Sequence, residues 1–210
     1  MSNKFVEMQL SNQSELKILD AAEKIFFSKG KEGATMQEIA DEAGITRTSL
    51  NYYYRSKDKL FEAVFRNALS RFVPRLAALM QTTDSLIEYF PRMAEIIIDT
   101  MIEHPQIPVF VLAELASNPD RVPQMMGELG IHPFQAMQKM KSDEPLSQLS
   151  VDPRQVIMNL LAMCIFPFAA RPMLVSIMYQ GDEQAFIDAM EQRKKLIPKM
   201  SEAMFKNVES

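Results

Sequence analysis

The sequence predicts an all-α fold, a three-helix head followed by a larger helical domain, and three observations lead there. Two capped amphipathic segments flank the dipeptide Gly44-Ile45 near the amino end. Glycine is sparse, 6 in 210 residues, and no Asn-Gly or Asp-Gly pair offers the tight turn that joins antiparallel strands. Beyond residue 56, apolar residues recur at helical rather than alternating spacing, punctuated by helix start and stop residues.

The head begins with a helix expected over residues 14–28, with Ile18, Ala22, Ile25 and Phe26 facing inward and a stop at Gly30. The second helix starts at Thr35. Its hydroxyl can accept from the amide of Glu38 while the Glu38 carboxylate reaches back, which is a capping box. Met36, Ile39, Ala40 and Ala43 then form one apolar stripe, and Gly44 supplies a left-handed turn at the end. Thr46 caps the third helix, with Ile45 and Leu50 in the two positions of a hydrophobic staple.

On that third helix Leu50 and Tyr54 are four apart and should face inward. Thr48, Ser49 and Tyr52 then point outward, flanked by Arg47, Asn51 and Tyr53. A solvated helix would ordinarily carry Glu and Lys there. Hydroxyls, an amide, a guanidinium and phenols are instead the groups that pair with phosphate oxygens and base edges, so the layout is that of a DNA-reading helix-turn-helix. Charge is distributed to match. Between residues 46 and 71 six basic residues (Arg47, Arg55, Lys57, Lys59, Arg66, Arg71) face two acidic ones (Asp58, Glu62), in a chain of net charge −4. Up to Val73 there are 11 basic and 10 acidic residues, and after it 12 and 17, so the acidity lies in the C-terminal part.

The run from Gly44 to Phe61, GITRTSLNYYYRSKDKLF, resembles the signature of TetR/AcrR-type transcriptional regulators, and residues 18–43 resemble the two helices before it. The resemblance covers about the first third of the chain. It implies a homodimeric repressor with one DNA-binding head per subunit and an all-helical C-terminal domain that binds a small molecule and releases a palindromic double-stranded DNA operator. By position it assigns Thr35, Thr46, Tyr53 and Lys57 to phosphates and Arg47, Thr48, Asn51 and Tyr52 to the groove. One position departs from the family pattern: Asn51 stands where tyrosine is usual, and its amide can pair with adenine, which points to a different operator.

The domain plan that follows is a head over residues 1–55, a connecting helix over 56–80 begun by Ser56 and kinked or ended at Pro74, and an effector-binding and dimerisation domain over 81–210. Helices are expected at about 84–103, 105–117, a broken stretch at 119–141, 152–179 and 182–206. Asp152-Pro153 and Gly181-Asp182 mark two of the boundaries, and a strand over 95–99 is a weaker reading. In the resembled family the last two helices of each subunit form a four-helix dimer interface. Here Ile157, Leu160, Leu161, Phe168, Phe186, Met190, Ile197 and Met204 supply apolar faces that fit either that interface or an internal core.

Fourteen of the 17 methionines follow Pro74 and suit a pocket for varied apolar shapes. Prolines 91, 105, 108, 119, 123, 133, 167 and 172 are expected to break helices around it. Candidate lining residues are Tyr89, Met93, Ile97, Met101, Phe110, Glu114, Met125, Phe134, Met137, Met163 and Phe166, although a methionine stripe at helical spacing also fits plain core.

His104 and His132 each precede proline with no ligand cluster nearby, so no metal or other cofactor is expected. Cys164, the single cysteine, sits in an apolar run and reads as a buried, inert thiol. The first ten residues lack the apolar core of a secretory signal, and the longest apolar run, 160–170, is shorter than the ~20 residues of a spanning helix. A cytoplasmic protein is expected. No phosphate-cradling glycine loop, nucleophile elbow or catalytic triad is present, which argues against an enzyme. Two alternatives remain open: a helical dimer that uses its head for protein contacts, and a DNA-binding regulator controlled by a partner protein.

Overall fold

The computed structural model describes residues 2–82, 86–128 and 153–206, and these are helical or in connecting turns, with no strand among them. The chain divides into two compact units, Met1–Leu69 and Ser70–Ser210.

The first unit contains α1 (Ser2–Gly33), α2 (Met36–Glu42), α3 (Arg47–Tyr53) and α4 (Lys57–Ser70). Helix α1 starts well before residue 14. Its expected stop at Gly30 is an internal break, φ 68° and ψ 176°, beyond which one more turn runs to Gly33. Ile18, Ala22 and Phe26 are buried as the spacing requires, whereas Ile25 is only half-buried. They share a core with Ile39, Leu50, Leu60, Val64 and Phe65, and the Phe26 and Phe61 rings meet edge to face at 5.1 Å. Ser56 caps α4 by accepting from the Lys59 amide at 3.3 Å.

The second unit contains α5 (Val73–Thr82), α6 (Leu86–Glu103), α7 (Ile107–Ser117), α8 (Arg121–Glu128), α9 (Pro153–Ala169), α10 (Arg171–Met178) and α11 (Glu183–Lys206). Helices α6 and α11 make the most extensive pairing, cross-linked by Lys194 to Asp99 at 2.7 Å. The stretch 95–99 is therefore helix, not strand. Around Phe186 the rings of Phe168 and Tyr179 pack edge to face at 5.9 and 5.7 Å, and the Arg171 guanidinium lies 5.5 Å from the ring centre.

Proline placement departs from the sequence expectation in an instructive way. The break expected at Pro74 is present just ahead of it: α4 stops at Ser70, four residues earlier, and Pro74 falls in the first turn of α5, where its missing N–H has no intrahelical partner to lose. Phe72 lies in the turn between α4 and α5. Pro108 and Pro172 likewise occupy first turns of α7 and α10. Pro91 and Pro167, expected to break helices, run inside α6 and α9, as Pro198 does inside α11. Pro133 lies outside the described residues. The segment 152–179, expected as one helix, is two, α9 and α10, bent by 75° at Ala170.

Leu160, Phe168, Phe186, Met190 and Ile197, offered above as faces for a dimer, are buried inside their own subunit. The internal-core alternative holds for them, because α9 and α11 turn these side chains toward α6 and toward each other. Ile157 is half-buried, Leu161 is exposed, and the Met204 side chain lies outside those described. Among the described residues no single helix is long and apolar enough to cross a membrane.

Candidate nucleic-acid interface

Local chemistry sets the geometry of α2 and α3. The Glu38 amide donates to Thr35 Oγ1 at 3.2 Å, and the Thr35 amide and hydroxyl donate to Glu38 Oε2 at 2.9 and 2.8 Å. Lys29 adds an ion pair to Glu38 Oε1 at 2.5 Å. With the lysine and both threonine groups favouring its charged form, the Glu38 carboxyl is held down to about 2, from an ordinary 4.5. Helix α2 closes on Gly44, φ +67°, with Gly44 N–H donating to Asp41 O and Ile45 N–H to Ala40 O at 3.1 and 3.0 Å, the bonding of a Schellman turn. No atom crowds the Gly44 Cα, so the left-handed backbone is the whole reason for glycine there.

Helix α3 leaves that turn capped by Thr46, whose hydroxyl accepts from the Ser49 amide at 3.1 Å and lies 3.0 Å from the Ser49 hydroxyl. Its inner face is anchored by Leu50, fully buried, and Tyr54. The Tyr54 phenol donates to Glu15 at 3.1 Å, and burial together with that carboxylate pushes its pKa well above the ordinary tyrosine range, so it remains a neutral donor.

The outer face stands in solvent. Arg47, Thr48 and Asn51 are exposed, Tyr52 is 83% exposed, and Tyr53 is half-buried against it with ring centres 5.5 Å apart. Among the described residues the Arg47, Thr48, Asn51 and Tyr52 side chains donate to no group of their own chain. A rigid helix that holds four free polar side chains toward solvent has what base-edge recognition needs.

The remaining candidates are engaged. Both donors of Thr35 are held by Glu38, and the hydroxyls of Thr46 and Ser49 serve the α3 cap. Lys57 donates to the Glu32 and Ala34 carbonyls at 3.4 and 3.3 Å, tying the start of α4 to the end of α1. These contacts and the Glu15–Tyr54 bond join residues remote in sequence, so no periodicity signals them. Among the described residues Arg47, Arg55 and Lys59 make no ion pair, whereas Arg66 pairs with Glu62 and Lys31 with Asp58.

In the C-terminal unit Tyr89, Met93, Ile97 and Met101 form one buried stripe along α6, and Phe110, Glu114 and Met125 are buried on α7 and α8. Met163 is half-buried and Phe166 is 58% exposed, so Phe166 faces away from that interior. Phe134 and Met137 lie outside the described residues. Burial raises the Tyr89 phenol to about 12. Glu114 is 5% exposed and satisfied, ion-paired with Arg121 and accepting from Asn118 at 3.0 Å. Cys164 is fully buried and its thiol is raised to about 12 by that burial, which leaves it protonated and unreactive.

Comparison with known proteins decides what this head is. Residues 18–64 match the profile of bacterial regulatory proteins of the tetR family. The head is therefore similar to the regulatory head of the tetR family. The match spans the core of α1 through most of α4 and so contains every α2 and α3 residue described above. The regulator RutR of Escherichia coli is 32% identical over 115 residues, 53% of each chain. The transcriptional repressor KstR2 of Mycolicibacterium smegmatis is 28% identical over 107 residues, 51% of this chain and 52% of the relative. The chain thus spans about half the length of the curated relatives it matches. These TetR-type relatives are regulators and not enzymes, in keeping with the sequence reading. Among solved structures, the fatty acid degradation regulator FadR from Bacillus halodurans superposes with a TM-score of 0.59 at 14% identity, covering 86% of this chain and 92% of the other. The hemolysin II transcriptional regulator HlyIIR gives a TM-score of 0.55 at 21% identity, over 85% and 97%. Both likenesses are of the all-helical fold, over 85 to 86% of this chain.

Proposed function

We propose that the protein is a homodimeric, cytoplasmic transcriptional regulator of the repressor type, whose α3 reads a palindromic operator and whose C-terminal unit takes a small, largely apolar effector that releases the DNA. One observation carries the reading: Arg47, Thr48, Asn51 and Tyr52 stand exposed and uncommitted on a helix whose inner face is locked by Leu50 and Tyr54. Arg47 suits guanine, Asn51 suits adenine, and Thr48 and Tyr52 offer a hydroxyl and an apolar ring to the same groove. Arg55, Lys57, Lys59, Tyr53 and the amino ends of α2 and α3 serve the phosphates, with Thr35, Thr46 and Ser49 acting chiefly through the caps that orient those ends.

A dimer is supported by the exposed large apolar side chains that α9, α10 and α11 carry, among them Leu161, Phe166, Ile177, Met178 and Leu196. Two heads serving half-sites one turn apart need recognition helices about 34 to 36 Å apart. An effector in the buried, methionine-rich interior of α6 to α8 acts by favouring a packing in which that spacing is lost. A coupling of about 1 to 3 kcal/mol changes operator affinity roughly 5- to 150-fold.

Selection of bound duplexes from a random pool, followed by affinity measurements across a salt series, tests the reading. The expected result is a palindromic site with steeply salt-dependent affinity. Affinity indifferent to both sequence and salt overturns it.

A further inference from the structure

Helix α9 continues through Pro167, and a proline at that position removes the N–H that would otherwise donate to the carbonyl of Met163, four residues earlier. That carbonyl has a partner from another helix: Arg193 of α11 donates to Met163 O through Nη2 at 2.8 Å. The arginine is committed to this role. Its Nε is buried with no hydrogen-bond partner among the described residues, and no carboxylate among them pairs with it. A guanidinium that gives up solvent to reach one backbone carbonyl is held there by the interaction itself, because an unmet carbonyl and a withdrawn cation are each costly.

A second tie lies on the other side of the bend at Ala170. Arg171, the first residue of α10, donates to Glu183 Oε2 at 3.0 and 2.7 Å, and its guanidinium lies over Phe186; both partners belong to the first turn of α11. Helix α11 therefore grips the chain at Met163 before the 75° bend and at Arg171 after it. The exposed apolar side chains Met158, Leu161 and Phe166 precede the bend, and Met173, Ile177 and Met178 follow it. The bend therefore sets how these two groups of side chains lie relative to each other.

We infer that α11 is a splint across the α9–α10 bend, that Arg193 is a positioning residue standing in for the amide Pro167 lacks, and that this splint shapes the face on which a second copy of the chain docks. The inference rests on the dimer reading above, and the experiment separates the two. The dimer Kd is measured by sedimentation over a concentration series for the full chain and for the R193M, R193K, P167A and P167A/R193M variants, with helix content followed by circular dichroism.

The expected result is a dimer weakened on the order of tenfold by R193M at unchanged helix content. R193K keeps a donor and stays near the parent protein. In the P167A background, where alanine restores the amide, the same arginine substitution changes Kd less than about threefold. Equal losses in both backgrounds, or a dimer indifferent to R193M, overturn the splint and leave the dimer reading standing. A parent protein that is monomeric at every concentration overturns the dimer reading itself, and the inference with it. If R193M does not fold, recovery of a folded dimer in P167A/R193M supports the inference, and failure of both variants to fold overturns it.

Discussion

In the head, Arg47, Thr48, Asn51 and Tyr52 stand in solvent on a seven-residue helix whose start is fixed by Thr46 and whose approach is fixed by the Gly44 turn. In the C-terminal unit, Tyr89, Met93, Ile97 and Met101 are buried, and the helix that carries them is tied to a residue 95 positions away, Lys194 to Asp99. One region presents a finished surface and the other keeps its candidate side chains inside. A surface such as that of α3 can be built from caps and turns a few residues long, because only the orientation of one short rod has to be right. The C-terminal interior instead depends on helices brought together from distant parts of the chain. Substitutions in the two regions should therefore differ in size and kind.

The largest effect is expected inside the C-terminal unit. Phe186→Ala removes a fully buried ring that meets Phe168, Tyr179 and Arg171, and should cost about 3 to 5 kcal/mol in denaturant unfolding. A loss below 1 kcal/mol would mean that this interior is loosely packed, and the contrast with the head would weaken. Next comes Arg47→Ala, which should leave folding intact and lose about 1 to 3 kcal/mol of operator affinity with relaxed preference at one base pair. If the loss were the same on every duplex, Arg47 would be a phosphate contact and the division of labour on α3 would need redrawing.

Smaller still is Thr46→Ala, which removes the α3 cap and should cost about 1 kcal/mol of stability, read as faster amide exchange in α3. Exchange unchanged by the loss of this hydroxyl would show that α3 is held by its buried face alone. The subtlest test is acid titration. Glu38 is held near 2 in the folded head, below its ordinary 4.5, so its contribution is complete above about 4.5 and fades as the pH falls through 2. Protection of α2 amides should decline across that window, and Glu38→Gln should abolish this part of the decline.

Much of the head was legible beforehand because its determinants are neighbours in sequence. The Thr35–Glu38 box, the Gly44 turn, the Thr46 cap and the outward set on α3 are all read from spacings of four residues or fewer. What escaped the sequence was long-range. Nothing in a linear pattern announces that Tyr54 donates to Glu15 or that Lys57 spends its ammonium on Glu32 and Ala34. Prolines misled for a related reason. Whether one ends a helix depends on where the orphaned carbonyl finds a donor, and for Pro167 that donor is Arg193, 26 residues further along the chain.

By itself the sequence determined the helical class, the capped pair α2–α3, and which side chains of α3 face outward, since these follow from short-range hydrogen bonding and the helical repeat. Only the tertiary structure decided which apolar residues of α9 to α11 are core and which are surface, and where α9 and α10 part. Helices α9 and α10 carry apolar residues on most of their faces, and α11 carries both exposed and buried ones, so hydrophobicity alone does not assign the core side. The side each takes is fixed by which neighbouring helix reaches it first.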